Sequence, residues 1–340
     1  MLPAKQREAL IGWKIGGLIV SANLAGELHN NMRVSIIIPT LNPGPSFPTL
    51  IQNLRGQTLG DTQILVVDSS SDDGTAVTAK SLGVDVLIVP RGQFDHGQTR
   101  NEAGHTAEGD TLVYLTQDVI PVSRGSIEML VKPFLESENI GATYGKQVPG
   151  KGSSPLASHL RSFNYPDSRM VKGMENSKQL GLKAPFLSNS FAAYRRTVLE
   201  RIGWFKDKML FGEDQYAGAR ILMAGYKIAY EPAAQVYHSH DYSVLQEFKR
   251  YFDIGVFHEM ESWLLMTFGQ PEGEGLKYVF SEVKYLRMRR MAYLIPESFI
   301  RNFAKFIGYR LGRHYRVLPQ CLINEFTMSP LWWQKELNDA

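Results

Sequence analysis

Cysteine is all but missing: Cys321 is the only one in 340 residues. No intrachain disulfide can form, and no Cys-based zinc or iron–sulfur centre can be assembled, which points to a reducing, cytoplasmic setting. Long apolar runs are lacking too, since none reaches the roughly 18 residues that a membrane-spanning helix needs. Residues 11–25 (IGWKIGGLIVSANLA) have the apolar middle of a signal peptide, yet Lys14 interrupts it, so an N-terminal helix or an over-long start is expected over export. With 17 Pro and 30 Gly, the chain is neither collagen-like nor of low complexity. Two phosphate-binding fingerprints are also absent. Neither G-x-G-x-x-G nor G-x-x-x-x-G-K-[ST] follows any apolar run, which excludes dinucleotide oxidoreductases and P-loop NTPases. A G-x-G-x-R-L-like loop is missing after the first run as well, which argues against a nucleotidyltransferase.

What remains is a globular composition, 44% hydrophobic and 21% charged, with a net charge of only +3. The charge is unevenly placed. Between residues 284 and 316 stand nine Lys and Arg against one acid, Glu297, so the rest of the chain is mildly acidic. Aromatics interleave with these cations, and apolar positions 299, 300, 303, 306 and 307 follow helical spacing. Such a segment can lie on an anionic membrane surface or pack on the body as a solvated helical pair. No nucleic-acid module accompanies it, so nucleic acid is not an expected partner.

Apolar, β-branched runs at 34–38, 64–67, 85–89 and 111–115 alternate with segments of helical spacing, including 98–107. That rhythm predicts four parallel strands of an open α/β sheet. A further strand is expected at 140–148, then a Gly/Ser/Pro break at 150–155 and an irregular stretch to Pro185. A strand near 190–194, a helix over 215–224 and a short strand at 236–237 follow, and from 244 onward the pattern is helical. The reading gives an N-terminal extension (1–32), a catalytic domain (33–243) and a basic helical extension (244–340).

Open α/β sheets bind ligands beyond the carboxyl ends of their strands. The residues there are Pro39-Thr40-Leu41-Asn42, then the acidic turn 68–75 (D-S-S-S-D-D-G-T), then Thr116-Gln117-Asp118. Asp68 can accept hydrogen bonds from a nucleoside, or can form an Asx turn with a helix cap at Ser71 or Asp72. Asp118 can hold a divalent cation against phosphates, or can be a turn residue. Glu213 and Asp214 open a helix, where they serve as dipole-favoured caps or supply a general base. His238 and His240, at i and i+2, share one side of a strand and can ligate a metal or simply pack.

Taken in order, the motifs resemble those of inverting family-2 glycosyltransferases of GT-A fold: V-S-I-I-I-P-T-L-N at 34–42, V-V-D-S-S-S-D-D-G-T at 66–75, T-Q-D at 116–118 in place of D-x-D, and F-G-E-D at 211–214. F-D-H-G-Q-T-R-N at 94–101, Y-G-K-Q at 144–147, F-N-Y-P at 163–166 and Y-F-D-I-G-V-F-H at 251–258 narrow the resemblance to bacterial rhamnosyltransferases of surface polysaccharide synthesis. The resemblance spans about residues 33–270. It implies a Rossmann-like, mostly parallel sheet with a helical C-terminal extension.

It further implies that Thr40, Asn42 and Asp68 hold the nucleoside, with Arg100 near the base or phosphates. Asp118, beside Gln117, would ligate Mg2+ or Mn2+ with His238 or His240. Asp214 would be the base, and Ser188, Asn189 and Glu213 would line the acceptor side. The implied donor is a dTDP-sugar, dTDP-L-rhamnose, and the acceptor a saccharide or lipid-linked saccharide. A UDP-hexose donor, or a silent sugar-nucleotide-binding subunit, is the alternative. Gln117 departs from the pattern, because many members carry an additional acid there, and a neutral amide binds a cation more weakly.

Overall fold

The computed structural model describes residues 32–59, 62–238 and 240–339; the expectations for the amino terminus fall on residues outside these. Strands β1 (Val34–Thr40), β2 (Gln63–Asp68), β3 (Asp85–Ile88) and β4 (Thr111–Leu115) lie in the order β3-β2-β1-β4, all parallel. Helices Phe47–Arg55, Thr75–Ser81 and α1 (His96–Thr106) make the crossovers. Asp95 caps α1 by accepting from the backbone N–H groups of Gly97 and Gln98, which sets its start two residues before the expected one.

The sheet continues as β4-β8-β6-β9 through β6 (Ile140–Val148), β8 (Phe191–Arg195) and β9 (Lys227–Tyr237), while the short β5 (Ile120–Pro121) and β7 (Met170–Lys172) pair with β9. The expected open α/β sheet is therefore present. Parallel order holds through the first four strands and again between β6 and β9, whereas β8 runs antiparallel to both β4 and β6. The chain after β6 stays at the carboxyl edge, so β8 enters where β4 leaves, with Phe191 opposite Leu115.

Two expectations are corrected in this half. The stretch to Pro185 is not irregular throughout, because Ser154 caps helix α2 (Pro155–Asn164), with Pro155 in its first turn. The strand at 236–237 is the end of an eleven-residue β9, whose Lys227, Glu231 and Gln235 interrupt the apolar pattern that would have revealed its length.

Strand side chains alternate between two cores. Ile37, Leu65, Val67, Leu112, Tyr114 and Tyr194 share one face, and Ile36, Ile38, Val66, Val113, Leu115 and Ala193 the other. Burial on both faces explains the near-continuous apolar runs of β1 and β4.

After α3 (Glu213–Met223) and β9 come the carboxyl-terminal helices α4 (Val244–Met260), α5 (Glu272–Met288) and α6 (Ile295–Arg313). Helices α4 and α6 approach through glycines. A Cβ on Gly308 would stand 2.3 Å from the carbonyl oxygen of Phe248, and one on Gly312 2.1 Å from that of Phe252. A buried polar knot ties these helices to the body: Glu282 of α5 accepts from Tyr278, Ser298 and Asn302, and His159 of α2 hydrogen-bonds Ser281 at 2.9 Å.

Candidate active site

The topology brings four chain segments to one edge. Asp118 follows β4, Gln147 ends β6, Ser188, Asn189 and Ser190 precede β8, and His238 and His240 follow β9. A cleft of about 820 Å³ opens there, lined by Asp118, Ser188, Asn189, Glu213, Asp214, His238 and His240 among others.

The β5/β9 register explains the first cluster. Ile120 pairs with Tyr237 and Pro121 with Val236, which brings the turn carrying Asp118 beside the end of β9, where His238 and His240 follow. The Nε2 atoms of the two histidines stand 3.2 and 3.3 Å from Asp118 Oδ2, and one ligand atom from each residue can lie within 4.8 Å of the others. The rings meet edge to face, 4.7 Å apart. Burial raises the pKa of Asp118, but its hydrogen bond to His238 and the charge of that ring outweigh burial and hold the carboxyl well below the usual range.

Gln147 decides how His238 presents itself. The guanidinium of Arg161, which can only donate, gives a hydrogen bond of 2.8 Å to Gln147 Oε1, and Gln147 Nε2 donates to Ser188 Oγ at 3.1 Å. With the amide orientation fixed in this way, Oε1 faces His238 Nδ1 at 2.8 Å and requires a proton there. A cation bound at this cluster would displace the Nε2 proton and take that nitrogen's lone pair, while Nδ1 keeps its proton on Gln147. One carboxylate and two imidazoles so arranged fit a divalent cation, and nitrogen donors suit Mn2+ better than the harder Mg2+.

The second cluster sits at the start of α3. Gly212 turns the chain with φ of 83°, and its hydrogen faces the ring of Phe257, where a Cβ would come within 2.7 Å. Asp214 is half-buried; Oδ1 accepts from the N–H of Gln215 at 2.8 Å and Oδ2 from that of Asn189 at 3.2 Å. Burial and the neighbouring Glu213 charge push its pKa up to about 7. Glu213 goes the other way: burial alone would raise it, but Arg100 and His96 hold it below the ordinary value. Adjacent carboxyls with opposed shifts are a feature of sites that handle protons.

Other expected residues are placed differently. Arg100 is buried in the cleft wall, 3.3 Å from Glu213 Oε1, and donates to the carbonyl of His96 at 2.8 Å, so its charge is matched inside the protein. Asn189 lines the cleft, but its side chain donates to Glu213 and accepts from Tyr194, which makes it a spacer. Gln117 points away from Asp118: its Oε1 accepts from the N–H of Leu41 at 2.8 Å and its Nε2 donates to the Leu41 carbonyl at 3.1 Å.

Thr40, Asn42 and Asp68 lie at the same edge beyond β1 and β2, outside the lining of the cleft. Asp68 accepts from Thr40 Oγ1 at 3.2 Å and from the N–H and hydroxyl of Ser71, while Asn42, at φ of 46°, accepts from the N–H of Asp72 at 2.9 Å. These bonds bind two loops into a rim. The helix that follows has Gly74 at its N-cap position and no side-chain cap, so neither Ser71 nor Asp72 caps it; Asp73 Oδ1 accepts from the N–H of Thr75 in an Asx turn.

Sequence reasoning passed over Gln147, Arg161 and Arg250. Gln147 was within reach of the strand-end criterion, since it sits at the carboxyl edge of β6. Arg250 carries no local signal. Its guanidinium lies over the rings of Phe211 at 5.2 Å and Tyr242 at 5.7 Å, and among the described residues it has no carboxylate partner. It thus stands between the ring that precedes the α3 turn and the ring that stacks on His240.

Residues 35–203 match the family model described as "Glycosyl transferase family 2". The O-antigen chain rhamnosyltransferase RfbN of Salmonella typhimurium is 39% identical over 304 residues, which cover 89% of this chain and 96% of that protein. WbaN of Salmonella anatum, named likewise, is 40% identical over 301 residues, 88% and 95% of the two chains. Among solved structures, the mannosyltransferase PcManGT of Pyrobaculum calidifontis, in complex with GDP-Man and Mn2+, superposes with a TM-score of 0.55 at 18% identity, over 95% of this chain and 97% of its own. That likeness concerns the fold alone. With residues 35–203 matching the family model and two relatives about 40% identical along nearly their whole length, the chain belongs to glycosyltransferase family 2.

Proposed function

We propose that the enzyme transfers L-rhamnose from dTDP-L-rhamnose, with inversion, to a growing surface polysaccharide or its lipid-linked precursor. The names of the two Salmonella relatives support the sugar. The observation that carries the chemistry is the presence of Asp214 and the Asp118, His238 and His240 cluster in one cleft.

Asp118, His238 and His240 would hold the divalent cation, Mn2+ by their donor set, and when bound it supplies positive charge to the diphosphate. The rim formed by Thr40, Asn42 and Asp68 would receive the nucleoside. Asp214 removes the proton of the acceptor hydroxyl as that oxygen bonds to the anomeric carbon, while the bond from that carbon to the diphosphate oxygen breaks on the opposite face. The electron pair leaves on the diphosphate, and Arg250 meets the growing charge, the role that Arg100, already matched by Glu213, does not take. A diphosphate departs without protonation, so one carboxyl base suffices where a glycosidase needs two. A lipid-linked acceptor makes this a peripheral enzyme of the inner face of the plasma membrane.

The test is a panel of nucleotide sugars incubated with the protein, Mn2+ and a saccharide acceptor. Release of dTDP from dTDP-L-rhamnose, with none of UDP from UDP-hexoses, is expected. Turnover of a UDP-hexose without turnover of dTDP-L-rhamnose overturns the donor, and no transfer from any donor leaves only a binding subunit.

A further inference from the structure

Helix α6 is built inside out. Its inward side carries Ser298, Arg301, Asn302 and Lys305: Arg301 pairs with Glu247 and Glu297, Lys305 with Glu247, and Asn302 with Glu282. The opposite side carries Phe299, Ile300, Phe303 and Phe306, which are 54%, 59%, 66% and 54% exposed. A surface helix of a soluble body ordinarily turns its apolar stripe to the core and its charges to water. Here the reverse holds. Helix α5, packed beside α6, leaves Leu276 and Phe280 exposed four residues apart, and Tyr293 between the two helices is exposed as well. An exposed apolar stripe of this kind, Phe299, Ile300, Phe303 and Phe306 on one side of α6, marks a docking surface.

Charge decides what docks. Lys284, Arg287, Arg289, Arg290, Arg310 and Arg316 are exposed, and among the described residues none of them forms a salt bridge. Among the described residues no helix is long and apolar enough to cross a membrane, so these aromatics are not part of a span. Outward aromatics flanked by unmatched cations are the composition of a helix that lies in the headgroup layer of an anionic bilayer. We propose that the α5–α6 face is a membrane-docking surface, with Phe299, Ile300, Phe303 and Phe306 inserted among acyl chains and the six cations on anionic headgroups.

The purpose of docking rests on the lipid-linked acceptor proposed above, but the docking does not. Arg301 and Lys305 line the transfer cleft from the inner side of the same helix whose outer side meets lipid. A docked α6 is therefore one wall between the bilayer and the reaction, and an acceptor anchored in that bilayer reaches the cleft beside it.

The experiment is co-sedimentation of the full-length protein with vesicles of phosphatidylglycerol and phosphatidylethanolamine, against vesicles of phosphatidylcholine. The variants are Phe299→Ser/Phe303→Ser/Phe306→Ser and Arg287→Gln/Arg289→Gln/Arg290→Gln. Binding to the anionic vesicles only, weakened by salt, is expected. Each cation removed should lower affinity about fivefold, and loss of the three aromatics should abolish binding with thermal melting unchanged. Hydrolysis or transfer from the sugar nucleotide to a water-soluble saccharide is measured in parallel, so a wrong donor and a wrong membrane face give separate failures. Equal binding by wild type and both variants overturns the proposal, as does no binding at all. A dimer in sedimentation equilibrium that the serine variant dissolves also overturns it, because the face would then belong to a second copy.

Discussion

Gln147 and His238 meet side chain to side chain, with Oε1 of the amide 2.8 Å from Nδ1 of the ring. Because Arg161 donates to the same Oε1 and Ser188 accepts from Nε2, the amide orientation is fixed and this contact determines which imidazole nitrogen keeps its proton. Gln147→Leu removes that control without touching a ligand atom. Mn2+ affinity, read by isothermal titration, should drop about 10–100-fold, the range seen when partners behind a metal ligand are lost. Unchanged affinity in a folded Gln147→Leu protein refutes the role.

Asp214 gives a pH dependence with a definite sign. A base works only when deprotonated, and this carboxyl is held protonated up to about pH 7 by burial and the Glu213 charge. Transfer, measured as kcat/KM, should rise as pH increases through about 7 and level off above it. Asp214→Asn should lower kcat by about 10²–10⁴-fold and abolish the rising limb, with donor affinity nearly intact. A variant that keeps the limb shows that another group titrates.

Arg100 and Glu213 are a buried ion pair, 7% and 9% exposed in their side chains. Arg100→Met leaves Glu213 charged and unmatched, at a cost of about 3–5 kcal/mol in urea unfolding. The double variant Arg100→Met/Glu213→Gln should recover a large part of that loss, which a double-mutant cycle quantifies. Additive losses would show that the two do not act as a pair.

Arg250 has two aromatic neighbours and, among the described residues, no carboxylate within ion-pair distance. Arg250→Ala should weaken binding of dTDP and slow transfer together, and Arg250→Lys should restore only part, because an ammonium lacks the planar group that lies on Phe211 and Tyr242. Equilibrium binding of dTDP by both variants decides it; wild-type affinity in Arg250→Ala removes the residue from the site.

The glycines of α6 set how closely the carboxyl-terminal helices sit. Gly308→Val or Gly312→Val drives a side chain against a backbone carbonyl and should destabilise by more than the about 1–3 kcal/mol of ordinary overpacking. Gly275→Ala on α5, where a Cβ meets nothing within 4 Å, should instead stabilise by up to about 1 kcal/mol. Thermal melting of the three proteins checks both signs.

The parts of the site that were legible in the chain are those announced by local pattern. Asp118, His238, His240 and Asp214 stand at strand ends or at a helix start, where hydrophobic periodicity breaks into polar residues. Their partners were hidden, because partnership is a property of distant pieces of chain. Nothing near Gln117 signals Leu41, 76 residues away, and nothing near Asn101 signals that its amide grips the backbone of Phe205, 104 residues on. Arg100 looked like a free cation for the same reason. The length of β9 is obscured by its own polar residues, Lys227, Glu231 and Gln235, which break the apolar pattern.

The double hydrogen bond between Gln117 and Leu41 makes the amide a strut that couples the loop leaving β1 to the loop leaving β4. An aspartate in its place would be too short to span the gap and could not donate to the carbonyl. Grafting the missing acid would thus cut one loop loose from its neighbour without adding a well-aimed ligand, and this architecture has traded that extra charge for rigidity.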